Sequence, residues 1–425
     1  MKFYTEPQKN IEITYEIDVL VIGSGPAGFS AALSAARNGA KTLIIEQLGN
    51  IGGISTEGLM SHWGGKSDGG IFHEILKKCA EINEGNNYDK ITNVIDPEKL
   101  KTLYLNMLSN EKVKILLYTF ASDVIMEGNK IVGVIVENKS GRQAIMAKAV
   151  IDASGDGDIA KKAGVKYILG REEDGKMQPA TIMFKVAGVD VDHAVFLGSF
   201  ESKYETEKGE LQALAKQYIP FPAGHVLCYK STLPSVVTIN MTNCIDVDGT
   251  RAEDLTAATI VCRNQMEKIV EFLREFVPGF QNCYMISSAS LVGIRETRHF
   301  CGEYTLTAED IWEAKQFPDW VVTGALFNFD VHNISGAGLD KTGVQHKFTQ
   351  NNGYSIPYGC LLPKGVDGLL LSGRNISGTH IAHSNFRVMP ICSAIGEAAG
   401  VAAAISCREN VPLHEVAVSE IQACL

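Results

Sequence analysis

The order of apolar and polar positions reads as an α/β chain. After a polar, charged stretch over residues 1–16, residues 17–22 (IDVLVI) form a short β-branched run closed by glycine, which predicts a buried parallel strand. Residues 29–38 are alanine-rich and predict a helix stopped by Gly39; residues 41–45 (KTLII) predict a second strand that ends at Glu46. Residues 100–109 read as a helix. Between 114 and 151, short β runs alternate with turn signals at Gly128-Asn129 and Ser140-Gly141, the pattern of a small antiparallel meander returning to a parallel sheet. Residues 150–154 predict a strand, followed by an acidic turn over 155–158 and a short helix over 159–164. The block from 166 to about 355 mixes strands (181–186, 236–241) with a helix over 251–276, for which Thr250 and Glu253 have capping-box spacing. Residues 368–372 (GLLLS) predict one more buried strand. Residues 391–406 predict a helix rich in alanine and glycine, with Pro390 suited to its first turn.

The first strand, helix and second strand enclose Gly23-Ser24-Gly25-Pro26-Ala27-Gly28. In this G-x-G-x-x-G context Gly23 permits the tight turn, Gly25 lets backbone approach a pyrophosphate, and Gly28 lets helix and strand pack closely. The helix N-terminus offers N–H groups and a partial positive charge to phosphates. Glu46, 23 residues after Gly23, can accept hydrogen bonds from ribose hydroxyls. The bland alternative is an ordinary βαβ unit with a glycine turn, and the motif alone does not separate NAD from FAD.

The residues after Glu46 do separate them. Glu46, Gly49, Gly52 and Gly53 complete E-x-x-G-x-x-G-G, and here the chain resembles the FAD-binding oxidoreductases of the glutathione-reductase-like superfamily. The resemblance implies a Rossmann-like FAD-binding domain with a parallel sheet and β-meander, plus an inserted α+β substrate domain: 1–165, 166–355 and 356–425 in turn. It implies that Gln47, Gly52, Gly53, Ile54 and Ser55 run along the pyrophosphate and ribityl chain. Ala121 would meet the adenine edge. Ala153-Ser154-Gly155 would form a turn near the adenosine-side phosphates, or simply a strand end whose acids cap the next helix. Gly373 is followed by Arg374, where many members carry an acid on the ribityl hydroxyls, so Arg374 is assigned to the pyrophosphate. Val388 and Met389 open the helix whose N-terminus faces the flavin in that superfamily. His62 falls where several members approach the flavin ring; a merely packed histidine is the competing reading, and a covalent flavin link the remote one. With GGISTEG (52–58), VGIRETR (292–298) and this tail, the chain resembles bacterial FAD-dependent oxidoreductases distantly related to the fumarate reductase and succinate dehydrogenase flavoproteins. A second dinucleotide fingerprint is missing, so no separate NAD(P)H domain is expected.

Arg295 and Arg298 are three apart and would share one face of a helical turn, where paired guanidiniums clamp a carboxylate, a phosphate or polarised oxygens. A structural ion pair with Glu296 or Glu303 is the alternative. His380 and His383, also three apart, raise a metal site, but no acid or third ligand accompanies them at recognisable spacing, and no metal is expected. His380 is the first choice for a base that takes a substrate hydroxyl proton. The expected function is hydride transfer between flavin N5 and a small sugar, polyol or hydroxyacid. Reduction of an unsaturated carboxylic acid is the alternative; a tRNA-modifying flavoprotein or a flavin-carrying electron-transfer subunit are readings of other classes.

Composition narrows the field further. The 425 residues are 45% hydrophobic and 21% charged, enough for sizeable cores. A net charge of −10 lacks the basic footprint of a nucleic-acid binder. The ten cysteines form no C-x-x-C pair and read as reduced core residues. No leader and no membrane-length uncharged run is seen, so a cytoplasmic enzyme is expected. Its partners would be a small substrate and an unidentified electron acceptor or donor, with a homo-oligomer left open.

Overall fold

The computed structural model describes residues 2–83, 91–340 and 352–425. Its main sheet has seven strands: β1 (Glu12–Ile22), β2 (Thr42–Ile45), β3 (Lys114–Leu116), β4 (Phe120–Glu127), β5 (Lys130–Asn138), β6 (Gly141–Asp152) and β7 (Leu369–Leu371). The order is β3-β2-β1-β6-β5-β4, and β7 also pairs with β6. β1 runs parallel to β2 and β6, and β2 parallel to β3. β6 is the pivot. Its first half pairs antiparallel with β5, and its last residues, Val150 to Asp152, pair parallel with β7. The meander thereby hands the sheet to the C-terminal part of the chain.

Helix α1 (Pro26–Arg37) follows β1 as the alanine run predicts. The chain then forms α2 (Gly70–Ile82) and α3 (Pro97–Asn110), the latter capped by Asp96, which accepts from Glu98 N and Lys99 N. The middle block builds a four-stranded antiparallel sheet in the order Cys228–Lys230, Val237–Ile239, Phe184–Ala187, Tyr284–Ser288. Against it lies α4 (Ala252–Phe276), which buries Ala258, Cys262, Met266, Ile269, Phe272 and Leu273 at helical spacing. The expected capping box fails: Thr250 gives both its N–H and its hydroxyl to Asp248, and Arg251 occupies the N-cap with no side-chain bond. The second apolar core lies within 180–289 plus Leu59, whereas Phe300, Leu306, Phe317 and Val321 pack into the first core with the main sheet.

Near the C-terminus come α5 (His380–Phe386) and α6 (Met389–Glu409). α6 is long and apolar enough to cross a membrane by composition, with mean hydropathy 1.4, but 83% of that window is buried in the protein. It packs along α1 with almost no side chain between them. A Cβ on Gly396 would lie 2.0 Å from Ala27 O, and one on Gly400 would lie 2.2 Å from Ala31 O. Ser30 and Ser393 hydroxyls meet at 2.7 Å, and Ser34 Oγ donates to Glu397 O at 2.8 Å.

Candidate active site

Three glycines shape the β1–α1 turn under three different constraints. Gly23 has φ +86°, and a Cβ there would lie 2.5 Å from Ala153 O. A Cβ on Gly28 would lie 1.9 Å from Gly23 O. On Gly25 it would meet nothing within 4 Å. Open space therefore sits at Gly25, in front of an α1 N-terminus that has no side-chain cap and no acid in its first turn. Gly53 lies against Gly25, its absent Cβ 3.0 Å from Gly25 Cα; Gly373 approaches Ala27. Gly52 N donates to Ser24 O at 2.9 Å, and Ser55 Oγ to Gly52 O at 2.6 Å. Ile54 reaches across to Gly293 of the middle block. Glu46 is buried; its carboxylate accepts from Ser24 N (2.9 Å), Ser24 Oγ (2.6 Å) and Leu48 N (2.9 Å). That leaves about one of roughly four lone pairs for another donor. Gln47 beside it is exposed.

At the end of β6, Asp152, a strand residue, accepts from Ser154 N and Oγ and from Ala160 N, while the acids of the turn serve other partners, Asp156 with Thr297 and Arg374 and Asp158 with Arg298. Burial raises the Asp152 carboxyl against its bonds. Gly155 lies under the Arg374 guanidinium, which pairs with Asp156 at 2.6 Å. Ala121 is buried on β4 opposite Val136. His62 is exposed on one side and stacks its ring on Tyr229, centroids 5.3 Å apart. The loop after it reaches α6: a Cβ on Gly65 would lie 2.8 Å from Val388 Cγ2. Val388 is the N-cap of α6 and Met389 its first residue, again with no side-chain cap and no acid in the first turn.

Two charge clusters adjoin this end of α6, joined through Gln178. In the first, Glu296 Oε1 is bonded to His299 Nε2 at 2.7 Å and to His380 Nδ1, while Glu296 Oε2 accepts from Gln178 N at 3.1 Å. Burial alone would raise the Glu296 carboxyl, but the two imidazole bonds hold it well below the carboxylate range. An ionised carboxylate accepts only, so His380 Nδ1 carries its proton toward Glu296 and Nε2 is left with the lone pair when the ring is neutral. In the second cluster, Arg387 Nη2 donates to Asp330 Oδ2 (2.9 Å) and Asp330 O (2.8 Å). His332 Nε2 lies 3.2 Å from the same carboxylate, and His332 N donates to Gln178 Oε1 at 3.1 Å. Nearby, Asn240 Nδ2 donates to Tyr229 OH, His225 Nε2 donates to Asn240 O, and Phe200 sets its edge against His225 and His332. Arg295 Nη1 donates to Pro179 O at 2.5 Å.

The structure corrects one expectation. Arg295 and Arg298 do not share a face. They take different partners: Arg295 donates to the Pro179 carbonyl, and only Arg298 lies in the short strand Arg298–Phe300. Arg298 is 8% exposed and committed to Asp156 O and Asp158, with its guanidinium over Tyr167. Glu296 is no partner of either arginine. The two histidines of the tail also part: His383 is buried with Nδ1 unpartnered. The donor atoms that do converge, all within 4.8 Å, belong to Glu296, His299 and His380. Sequence reading missed Glu296 as a histidine partner, and missed Gln178, Asp330, His332 and Arg387. Only Arg387 carried a signal, its place directly before Val388.

Room at Gly25, two uncapped helix N-termini and a buried acid at the end of β2 fit a dinucleotide diphosphate running from the β1–α1 turn toward α6. Comparisons agree. A family model described as FAD dependent oxidoreductase matches residues 18–425. A digeranylgeranylglycerophospholipid reductase of Picrophilus torridus is 32% identical over 181 residues, 39% of this chain and 45% of that protein. A thiamine thiazole synthase of Methanococcus maripaludis is 29% identical over 158 residues, 33% of this chain and 56% of that one. The chain thus spans about half the length of the curated relatives it matches. Among solved structures, a geranylgeranyl bacteriochlorophyll reductase-like protein of Thermoplasma acidophilum superposes with TM-score 0.51 at 16% identity, covering 96% of this chain and 82% of that one. A p-nitrophenol 4-monooxygenase of Pseudomonas putida gives TM-score 0.51 at 9% identity, covering 97% and 86%. At these identities the likeness shows the fold.

Proposed function

Because the chain belongs to the FAD-dependent oxidoreductase family, we propose that it oxidises or reduces a small oxygen-rich substrate beside the N-terminus of α6, with His380 as the proton-transfer residue. Bound FAD supplies two-electron redox chemistry at this site. Gly25, Glu46, the 52–55 loop, Ala153 to Gly155, Arg374, Val388 and Met389 would hold it.

The observation that carries the reading is the Glu296–His380 pair. A buried carboxylate fixes the orientation and tautomer of the imidazole, which leaves Nε2 as the acceptor for a substrate hydroxyl proton. In the reverse direction the same nitrogen returns it. Arg295, Arg387, Tyr229 and Asn240 give the region a polar lining. That lining supports an oxygen-rich substrate over the long hydrocarbon chains named in the phospholipid reductase relative. Arg298 is left as a brace for the 156–158 turn. His62, stacked on Tyr229, is placed to border the substrate rather than to exchange protons.

An anaerobic screen of sugars, polyols, hydroxyacids and unsaturated acids, read by flavin absorbance, tests the proposal. His380→Ala is expected to slow the reaction by about 100-fold or more, the usual contribution of a general base. It is also expected to remove the loss of rate at low pH that protonation of a general base imposes on the pH profile of flavin reduction. An unchanged rate and profile in His380→Ala would sink the assignment.

A further inference from the structure

The charges of the second cluster do not balance. Arg295 and Arg387 bring two positive charges and Asp330 one negative. His225 and His332 are neutral at pH 7, burial pushing them down to about 3 and about 4. Glu296 follows Arg295 in the chain, but its oxygens serve His299, His380 and Gln178 N. Among the described residues Arg295 has no ion-pair partner; its guanidinium donates to the Pro179 carbonyl. Two more donors in the cluster, Arg387 Nε and Gln178 Nε2, are buried with no acceptor, and Gln178 is 2% exposed. Unpaired buried guanidinium and amide donors are costly unless an anion joins them.

We infer that the substrate of this site is a small carboxylate whose anionic end is held by Arg295 and Arg387, with the Gln178 amide as a further donor. The inference rests on the function proposed above and names its substrate class. A carboxylate offers about four acceptor positions and matches the planar fork of arginine. The placement suits such a ligand. Arg387 immediately precedes Val388, the N-cap of α6. Gln178 contacts both clusters, its side chain bonding His332 N and its N–H bonding Glu296, the partner of His380. An acid anchored at the arginines presents its neighbouring carbons on the His380 side. A hydroxyacid or an α,β-unsaturated acid has that layout. A neutral polyol would leave Arg295 with only the Asp330 charge that Arg387 already engages.

The test is a titration of the flavin-loaded protein with sodium oxalate, malonate and acetate, and with neutral erythritol at matched ionic strength. Binding is read from the visible flavin band and from the melting temperature. At least one carboxylate is expected to give a saturable change, and erythritol none. Arg295→Met, which keeps an apolar stem for packing, is expected to weaken that binding by about tenfold or more while retaining bound flavin. Arg387→Lys gives a second, independently folding check with the same expected direction. Equal responses to carboxylates and erythritol, no response to any carboxylate, or equal affinity in both flavin-retaining variants would overturn the inference. Carboxylate binding without turnover of any redox-active acid would sink the proposed function and, with it, the assignment of the carboxylate as substrate, leaving only an anion held by the arginines. Turnover of a neutral polyol without carboxylate binding would sink the inference and leave the proposed function standing.

Discussion

Burial fixes the protonation of single residues here, and that has a consequence for stability. His225, His332 and His383 are 6%, 6% and 2% exposed. Burial is the largest cause holding all three below the ordinary imidazole value, His225 to about 3 and His332 to about 4. In the unfolded chain each titrates near about 6.5. Between that value and its own folded pKa, each ring is protonated when unfolded and neutral when folded. Acid then favours the unfolded state. The stability is fully present above about pH 6.5 and is lost as pH falls, by about 1.4 kcal/mol per pH unit for each histidine. Glu296 and Asp330, both held below the carboxylate range, lose their contribution only in stronger acid. Urea unfolding at pH 7.5, 6.5 and 5.5 should show this slope, and His225→Gln should reduce it by about one proton. A flat profile over that range would count against buried neutral histidines. The same scale explains what sequence could not supply. Arg295 and Arg298 were paired by counting along a helix, but the segment forms no helix and the two guanidiniums take separate partners, Pro179 O and the 156–158 turn. Asp330, His332 and Arg387 meet Gln178 only through tertiary packing, which leaves no trace in local spacing.

Elements were legible in proportion to how local their causes are. β1, α1 and β2 follow from an apolar run, an alanine run and glycine punctuation, and the structure places them within a few residues of the sequence reading. The meander was legible for the same reason. α5 was not read: it has seven residues, and Thr379, which accepts from Ala382 N, starts it without a helical apolar stripe. The bounds of α4 were legible, but its cap was misassigned because Asp248 outcompetes the helix for Thr250. The alanine and glycine of the tail helix permit close packing but do not name its partner, which the structure shows to be α1. A Cβ on Gly396 meets backbone, Ala27 O at 2.0 Å, and no side chain can swing away to admit it. Gly396→Ala must therefore push the two helices apart. Overpacking of this kind costs about 1–3 kcal/mol, and it would also shift Ala27 beside the cofactor turn. Thermal melts should show the loss of stability, and gel filtration should show flavin leaving the variant. Wild-type stability and flavin retention together would mean that the helices do not pack this closely.

At the scale of the whole molecule, the proposed cofactor site draws on stretches far apart in the chain: 23–28, 46–55, 153–155, 373–374 and 388–389. β6 brings them together by pairing with β1 along its length and with β7 at its end. Such a site should couple cofactor binding to global stability. A ligand that binds only the folded state at about 100 times its dissociation constant adds about 2.7 kcal/mol, so added FAD should raise the melting temperature of the flavin-free protein. Two glycines of one motif separate this linkage from the fold itself. At Gly25 a Cβ would meet nothing within 4 Å beyond its chain neighbours, and φ is an ordinary −59°. Gly25→Val should therefore leave the flavin-free melting temperature nearly unchanged while filling the space kept for the diphosphate. FAD should no longer stabilise that variant. At Gly28 a Cβ would lie 1.9 Å from Gly23 O, so Gly28→Ala should lower the melting temperature with or without FAD. If Gly25→Val melts like wild type and still gains the full stabilisation from FAD, the turn is only a crossover in an α/β sheet, and the cofactor is held elsewhere.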